Sequence, residues 1–194
     1  MKELVFLLEE ASAKAMLQTL LPRILSESIV WRCIPFEGKQ DLEKQLVGKI
    51  KGFQNKNARF IVLRDQDSNP NCKRIKKLLL ELCKQSGKLE RCLVRIACTE
   101  LETFYLADLL AVEQGLNLVG LTKQQQKKKF RAPDALGNPS LELKTLTGNR
   151  YEKISGSREI GKYLNPNNDR SPSFRNLIEG IRRMENELIT QHTN

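Results

Sequence analysis

Six acidic residues fall in three pairs, each close behind an apolar run. Leu4-Val5-Phe6-Leu7-Leu8 leads into Glu9 and Glu10, and Phe60-Ile61-Val62-Leu63-Arg64 leads into Asp65 and Asp67. Leu93-Val94-Arg95-Ile96-Ala97 is followed within a few residues by Glu100 and Glu102. If these runs are neighbouring parallel strands, all six acids gather at one edge of one sheet. The carboxyl edge of an open α/β sheet is where ligands bind. Carboxylates gathered there repel one another unless a cation joins them. The chain as a whole is basic, with 33 Lys and Arg against 23 Asp and Glu and a formal net charge of +10. An acidic pocket in a basic chain points to a divalent metal facing a phosphate backbone.

Asp65-Gln66-Asp67 is the sharpest of the three motifs. Such a pair at a strand end can hold Mg²⁺ or Mn²⁺, because hard cations prefer carboxylate oxygens. The competing reading is a turn and helix-cap pair; a glutamate at a second strand end tips the balance toward a site. Glu9 directly follows its strand and is preferred to Glu10, although glutamates in a first helical turn also suit the macrodipole. Glu100 and Glu102 divide evenly between that charge compensation and a second metal or water-positioning role. Two metals about 4 Å apart would clamp the attacking and leaving oxygens of a phosphodiester. Asp108, two turns further on, reads as structural.

The single histidine, His192, lies near the end of the sequence and reads as a solvated tail residue. Triads, zinc deaminases and histidine phosphotransfer need a histidine inside the fold. Catalysis is thereby left to carboxylates, lysines, hydroxyls, thiols or metals. The five cysteines form no CxxC pair, which reads as reduced thiols in a cytoplasmic protein rather than a zinc site or a disulfide framework. The first apolar run is too short for a signal peptide, and no stretch approaches the roughly 18 to 20 apolar residues of a membrane span. The expectation is a soluble protein without a membrane partner.

Most of the basic runs read as solvated faces. The best strand-binding candidate is Lys127, Lys128, Lys129 and Arg131, with Phe130 interleaved as a stacking ring. Lys153 and Arg158, beside a helix start, could contact phosphate.

The elements that must position these residues alternate. Residues 3–8 read as a strand buried on both faces. Ala13, Met16, Leu17, Leu20, Leu21 and Ile24 then share a helical face, with Ser12 as N-cap and a kink or restart at Pro22. A second strand spans 29–36, and a helix capped by Asp41 carries Leu42, Leu46 and Ile50. A third strand spans 59–64, and a third helix carries Ile75, Leu78, Leu79, Leu82 and Cys83. A fourth strand spans 91–98, followed by a helix through Val112 that Thr99 would cap. This order predicts an α/β fold: a mostly parallel sheet of about four strands with helices on both faces over 1–120. Residues 121–194 read as a basic loop region and two C-terminal helices, about 157–164 and 171–189, packed on the core within one domain.

The strand-closing Glu9 and the Asp65-Gln66-Asp67 motif in this α/β order resemble the Toprim domain of topoisomerases, primases and OLD-type nucleases. More closely, the chain resembles a small Toprim-like family of bacterial proteins often encoded beside AAA-type or SMC-like ATPases. The matching pieces are Leu7-Leu8-Glu9, Leu20-Leu21-Pro22, Leu63-Arg64-Asp65-Gln66-Asp67, Ile96-Ala97 with Glu100-Leu101-Glu102, Ser155-Gly156-Ser157-Arg158 and Ser171-Pro172-Ser173-Phe174. The resemblance implies a Mg²⁺ (or Mn²⁺) nuclease-like centre acting on DNA or RNA. Glu9 would be general acid/base or metal-proximal, Asp65 and Asp67 metal ligands, Glu102 an auxiliary catalytic carboxylate and Glu100 a further ligand. It also implies an ATPase partner and an effector role in anti-phage defence; a homo-oligomer is a further expectation. One departure stands out: Toprim domains usually follow the glutamate with glycine, and here the residue is Glu10. The alternative function is a non-catalytic Toprim-like subunit that docks on and regulates the ATPase.

Overall fold

A run of six apolar or shielded residues can serve as a strand only where both sheet faces are covered. In the computed structural model, which describes residues 1–190, β1 (Glu3–Leu8) is buried at every position. β3 (Arg59–Asp65) is buried as far as Arg64. β2 (Val30–Pro35) and β4 (Cys92–Ala97) flank them in the order β2-β1-β3-β4, all parallel. Alternation along β1 sends Leu4, Phe6 and Leu8 into one core and Val5 and Leu7 into another. The first core includes α1 (Ala11–Leu20), and the second holds α2 (Lys39–Lys51) and α3 (Cys72–Gln85). This is the expected α/β class, a four-stranded parallel sheet with helices on both faces.

Several local readings change. Ser12 is not the N-cap of α1: Glu10 holds that position, and Ser12 lies inside the helix with its hydroxyl donating to Glu10 Oε2 at 3.0 Å. Pro22 sits in the 3₁₀ turn Leu21–Arg23 that ends the helix. Asp41 belongs to the first turn of α2 and accepts from the Glu37 N–H at 3.1 Å, with Gly38 at the cap. The helix expected through Val112 is two, α4 (Glu102–Leu106) and α5 (Leu109–Leu116). Asp108 makes the break, its carboxylate accepting from the N–H groups of Ala111 (3.2 Å) and Asn165 (2.8 Å). Thr99 caps nothing; its φ of 64° lies in the left-handed region and its hydroxyl donates to the Leu136 carbonyl at 3.0 Å.

The segment beyond Gly120 contains three 3₁₀ turns and a helix that its Gly, Asn and Pro disguise. In α6 (Pro139–Leu146) Asn138 is the N-cap and Pro139 opens the first turn, where a missing N–H costs nothing. α7 (Lys153–Gly161) begins four residues before the expected start, and α8 (Pro172–Thr190) is capped by the Ser171 hydroxyl, which accepts from the Phe174 N–H at 3.1 Å. α7 packs against α1 and α5 through two glycines. A Cβ on Gly161 would lie 2.4 Å from Thr19 Oγ1 and 2.8 Å from the Met16 carbonyl; one on Gly115 would lie 2.7 Å from Ile160 Cα. Among the described residues all five cysteines are free, and no helix is long and apolar enough to cross a membrane. His192 lies outside the described residues.

Candidate active site

The chain leaves β1 through α1 to reach β2 on one side, and returns through α2 to β3 on the other. β1 and β3 therefore flank the point where strand order reverses, and such a point opens a crevice at the carboxyl ends of the strands. Register decides what stands there. Leu8 is level with Leu63, so Glu9 emerges beside Arg64 and one step short of Asp65. The Glu9 N–H donates to the Leu63 carbonyl at 3.1 Å, and the Asp65 N–H donates to Glu9 Oε2 at 2.9 Å. The loop after β3 is tied sideways, with Gln66 N–H on the Ala97 carbonyl (2.9 Å) and Asp67 N–H on the Thr99 carbonyl (2.7 Å). Asp67 and Thr99 both take left-handed φ where the loops meet.

Glu102, in the first turn of α4, completes the acid group from the far side. It is 1% exposed, and its Oε1 accepts from Tyr151 Oη at 2.9 Å. The Tyr151 ring occupies the place a Cβ on Gly156 would take, 2.6 Å away, so a glycine in α7 admits it. Ser157 Oγ lies 3.2 Å from Tyr151 Oη, while the fully buried Tyr105 Oη finds no hydrogen-bond partner among the described residues.

Electrostatics mark the same residues. Burial raises the Asp65 pKa well above the usual carboxylate range, with Glu102 and Glu9 adding to the shift. Burial also raises Glu9, with Asp67 and Glu10 reinforcing it against the Asp65 N–H and Arg64. Burial raises Glu102 despite the Tyr151 hydrogen bond. Lys153 Nζ binds Glu10 at 2.6 and 2.8 Å; burial works against its charge, but Glu10 overcomes that and the net shift is upward.

The crevice thus unites Glu9, Asp65 and Glu102, with Lys153 arriving through Glu10. Asp67 is near enough to Glu9 to act on its titration but is ion-paired with Lys39 at 3.0 Å. Glu100 turns elsewhere: its Oε2 accepts from the Ser140 N–H at 2.7 Å at the start of α6. Lys127 donates to Gln124 Oε1 (3.1 Å), Lys129 pairs with Glu142, and Arg131 Nε donates to the Gln126 carbonyl (3.3 Å). Lys128 is exposed beside them, and Arg158 is exposed on α7. Phe130 is fully buried, a core anchor that cannot stack on a base. Tyr151 and Lys39 carried no local signal, because each reaches the site from a distant segment, whereas Tyr105 lies on α4 with Glu102. Only the position of Lys39, just past β2 at the same sheet edge, could have marked it.

Among the described residues no group of three or more Asp, Glu, Cys or His side chains closes into a self-sufficient metal site. Mg²⁺ rarely needs one; it takes one or two carboxylates and completes its shell with water and phosphate. An all-oxygen donor set whose anionic forms are penalised by burial and mutual repulsion fits such an ion.

No curated protein matches the chain. Solved structures share its fold, among them two C-terminal regions of OLD proteins. The C-terminal region of the Burkholderia pseudomallei OLD protein aligns with a TM-score of 0.57 at 17% identity, over 93% of this chain and 97% of that one. The C-terminal region of the Xanthomonas campestris pv. campestris OLD protein aligns with a TM-score of 0.52 at 14% identity, over 98% of each. A family profile described as a domain of unknown function matches residues 8–182. With nearly the whole length matched, the chain belongs to that family, DUF4276.

Proposed function

We propose that this protein is a Mg²⁺- or Mn²⁺-dependent, nuclease-like Toprim domain that cleaves phosphodiester bonds in DNA or RNA. The observation that carries the reading is the convergence of Glu9, Asp65 and Glu102 at the switch point of the sheet, each with a raised pKa. Asp65 and Asp67 would hold the metal. When bound, the ion supplies charge neutralisation on the phosphodiester and lowers the pKa of water. Glu9 sits within the crevice with a pKa displaced toward neutrality, as suits a proton-transfer group. Tyr151 fixes the Glu102 carboxylate by donating to it, so that the acid faces the site in one orientation. Lys153 offsets negative charge at the rim.

A cleavage assay on DNA and RNA with Mg²⁺ or Mn²⁺ tests this. The Asp65→Ala/Asp67→Ala double variant should lose cleavage while staying folded; cleavage that persists in it rules the assignment out. An AAA- or SMC-like ATPase partner and a role as an anti-phage effector belong to the same reading. They are supported by the resemblance, and by the fold occurring as the C-terminal region of the OLD proteins. Co-purification with a neighbouring ATPase tests the partner.

A second reading, a non-catalytic subunit that docks on and regulates that ATPase, is favoured by the internal pairing of two of the acids. Lys153 holds Glu10 and Lys39 holds Asp67. Calorimetry with Mg²⁺ and Mn²⁺ separates the two: binding that is lost in the double variant supports the enzyme, and no binding to the wild type supports the docking subunit.

A further inference from the structure

Beside the carboxylates, on the α2 and α3 side of the crevice, lies a separate cavity of about 490 Å³ bounded by the end of β3, the 66–71 loop and the first turns of both helices. Three cations line it, Lys39, Arg64 and Arg74, against one carboxylate, Asp67. Its walls are fixed: Gln66 and Asp67 are hydrogen-bonded to the strand and loop beside them, and Asn71 caps α3 by accepting from the Lys73 N–H at 3.0 Å. Arg64 is the unusual member. It is 7% exposed and is ion-paired with two carboxylates, its Nη1 with Glu43 and its Nε with Glu9 Oε2 at 3.9 Å, yet that Nε makes no hydrogen bond among the described residues. A buried N–H left without an acceptor is costly, and native structures rarely leave one unless a ligand or water completes it. Arg74 stands exposed on the rim, and Lys39 is half-exposed, its amine shared with Asp67.

We infer that this cavity is a subsite for a phosphate group, with Arg64 at its floor and Lys39 and Arg74 at its rim. Guanidinium groups match the oxygens of phosphate in a fixed fork, and a lysine adds a mobile point charge. The nature of the ligand, one phosphate of a nucleic-acid strand whose next bond lies over the carboxylates, rests on the phosphodiester reading above. The alternative source of the same chemistry is a free phosphate or nucleotide.

The test measures binding without cleavage. A labelled single-stranded oligonucleotide is titrated in EDTA over a range of NaCl by fluorescence anisotropy, and inorganic phosphate is titrated by calorimetry. The proteins are the wild type, Lys39→Gln/Arg74→Gln, and Lys56→Gln as a control in the loop at the opposite sheet edge. Both rim residues are solvent-accessible, and urea midpoints confirm that the variants fold. The double variant should bind the strand about tenfold more weakly or worse, with a salt slope reduced by about one per lost contact; Lys56→Gln should change neither. Loss confined to inorganic phosphate keeps the subsite and assigns it a free ligand. Equal binding and slope in wild type and double variant, or no binding by the wild type in either arm, overturns it. A parallel Mg²⁺ cleavage assay separates the two readings. Cleavage by the wild type with unchanged binding in the variant removes the subsite alone. Binding that depends on the rim without any cleavage removes the nuclease assignment alone.

Discussion

The Asp65 N–H donates to the side chain of Glu9, so the residue that ends β3 is latched to the residue that follows β1. The bond joins two carboxylate-bearing positions 56 residues apart, and it fixes one Glu9 oxygen before any ligand arrives. Glu9→Ala leaves that buried N–H unpaired and should cost about 1–3 kcal/mol in urea unfolding. Glu9→Gln keeps an acceptor and should stay close to wild type in stability, while metal-dependent cleavage falls about 10²-fold or more. Equal stability losses in both variants would show that the latch does not depend on the acceptor oxygen.

Stability should depend on pH in a direction set by the buried acids. Burial, then Glu102 and Glu9, raise Asp65; burial also raises Glu9 and Glu102. Each group binds its proton more tightly folded than unfolded, so the unfolded chain holds fewer protons and stability falls as pH rises. Their contribution is complete below about pH 4, the ordinary carboxylate range, and is lost as pH climbs through the raised folded values. Urea unfolding of wild type and Asp65→Asn from pH 4 to 8 checks the sign. The variant should lose less stability over that interval, and Mg²⁺ should restore part of the wild-type loss. Parallel curves would remove Asp65 from the account.

Tyr151→Phe tests the far side of the crevice. The change removes the donor to Glu102 Oε1, together with the hydroxyl's contacts to Ser157 Oγ and the Lys153 carbonyl, and leaves a buried carboxylate with less support. A cost of about 1–3 kcal/mol is expected, together with reduced Mn²⁺ affinity by calorimetry. A variant that loses stability but binds Mn²⁺ like the wild type would make Tyr151 a purely structural contact.

The helix that carries Lys153 is seated by glycines, and filling either contact should unseat it. Gly161→Ala drives a methyl against Thr19 and the Met16 carbonyl, and Gly115→Ala drives one into the Ile160 backbone. Overpacking of this kind costs about 1–3 kcal/mol. Gly115→Ala should be the worse of the two, because its three nearest contacts are all backbone, whereas at Gly161 the shortest is to the Thr19 side chain and the Met16 backbone lies behind it. Denaturant midpoints of the two variants rank them.

Thiol chemistry gives a check that is independent of the site. Burial pushes the Cys33 thiol up to about 12 and the Cys98 thiol up to about 11. Reactivity follows the thiolate, so iodoacetamide at pH 8 should label both slowly in the native protein and quickly in urea, as read by peptide mass mapping. Fast native labelling of Cys33 would mean that β2 opens from the α1 side.

What the sequence determined by itself is local and periodic. Unbroken apolar runs such as Leu4–Leu8 demand a strand covered on both faces, and helical spacing such as Ile75, Leu79 and Cys83 demands a helix on one of them. Four such alternations imply a parallel sheet, since parallel strands need crossovers, and they place the following acids at a common edge. The sequence could not decide where each carboxylate turns, because that depends on groups remote along the chain. Glu100 and Glu102 are two residues apart, yet one accepts from the Ser140 N–H in the first turn of α6 and the other enters the crevice beneath Tyr151. Phe130 looks like an exposed ring among lysines, but the core takes it. Helix α6 was hidden because Asn138 and Pro139 signal a turn and a helix start alike, and burial of Leu143 selects the helix. The cationic cavity has no linear motif, because Lys39, Arg64 and Arg74 meet only where β3, α2 and α3 bring three separate segments to one edge of the sheet.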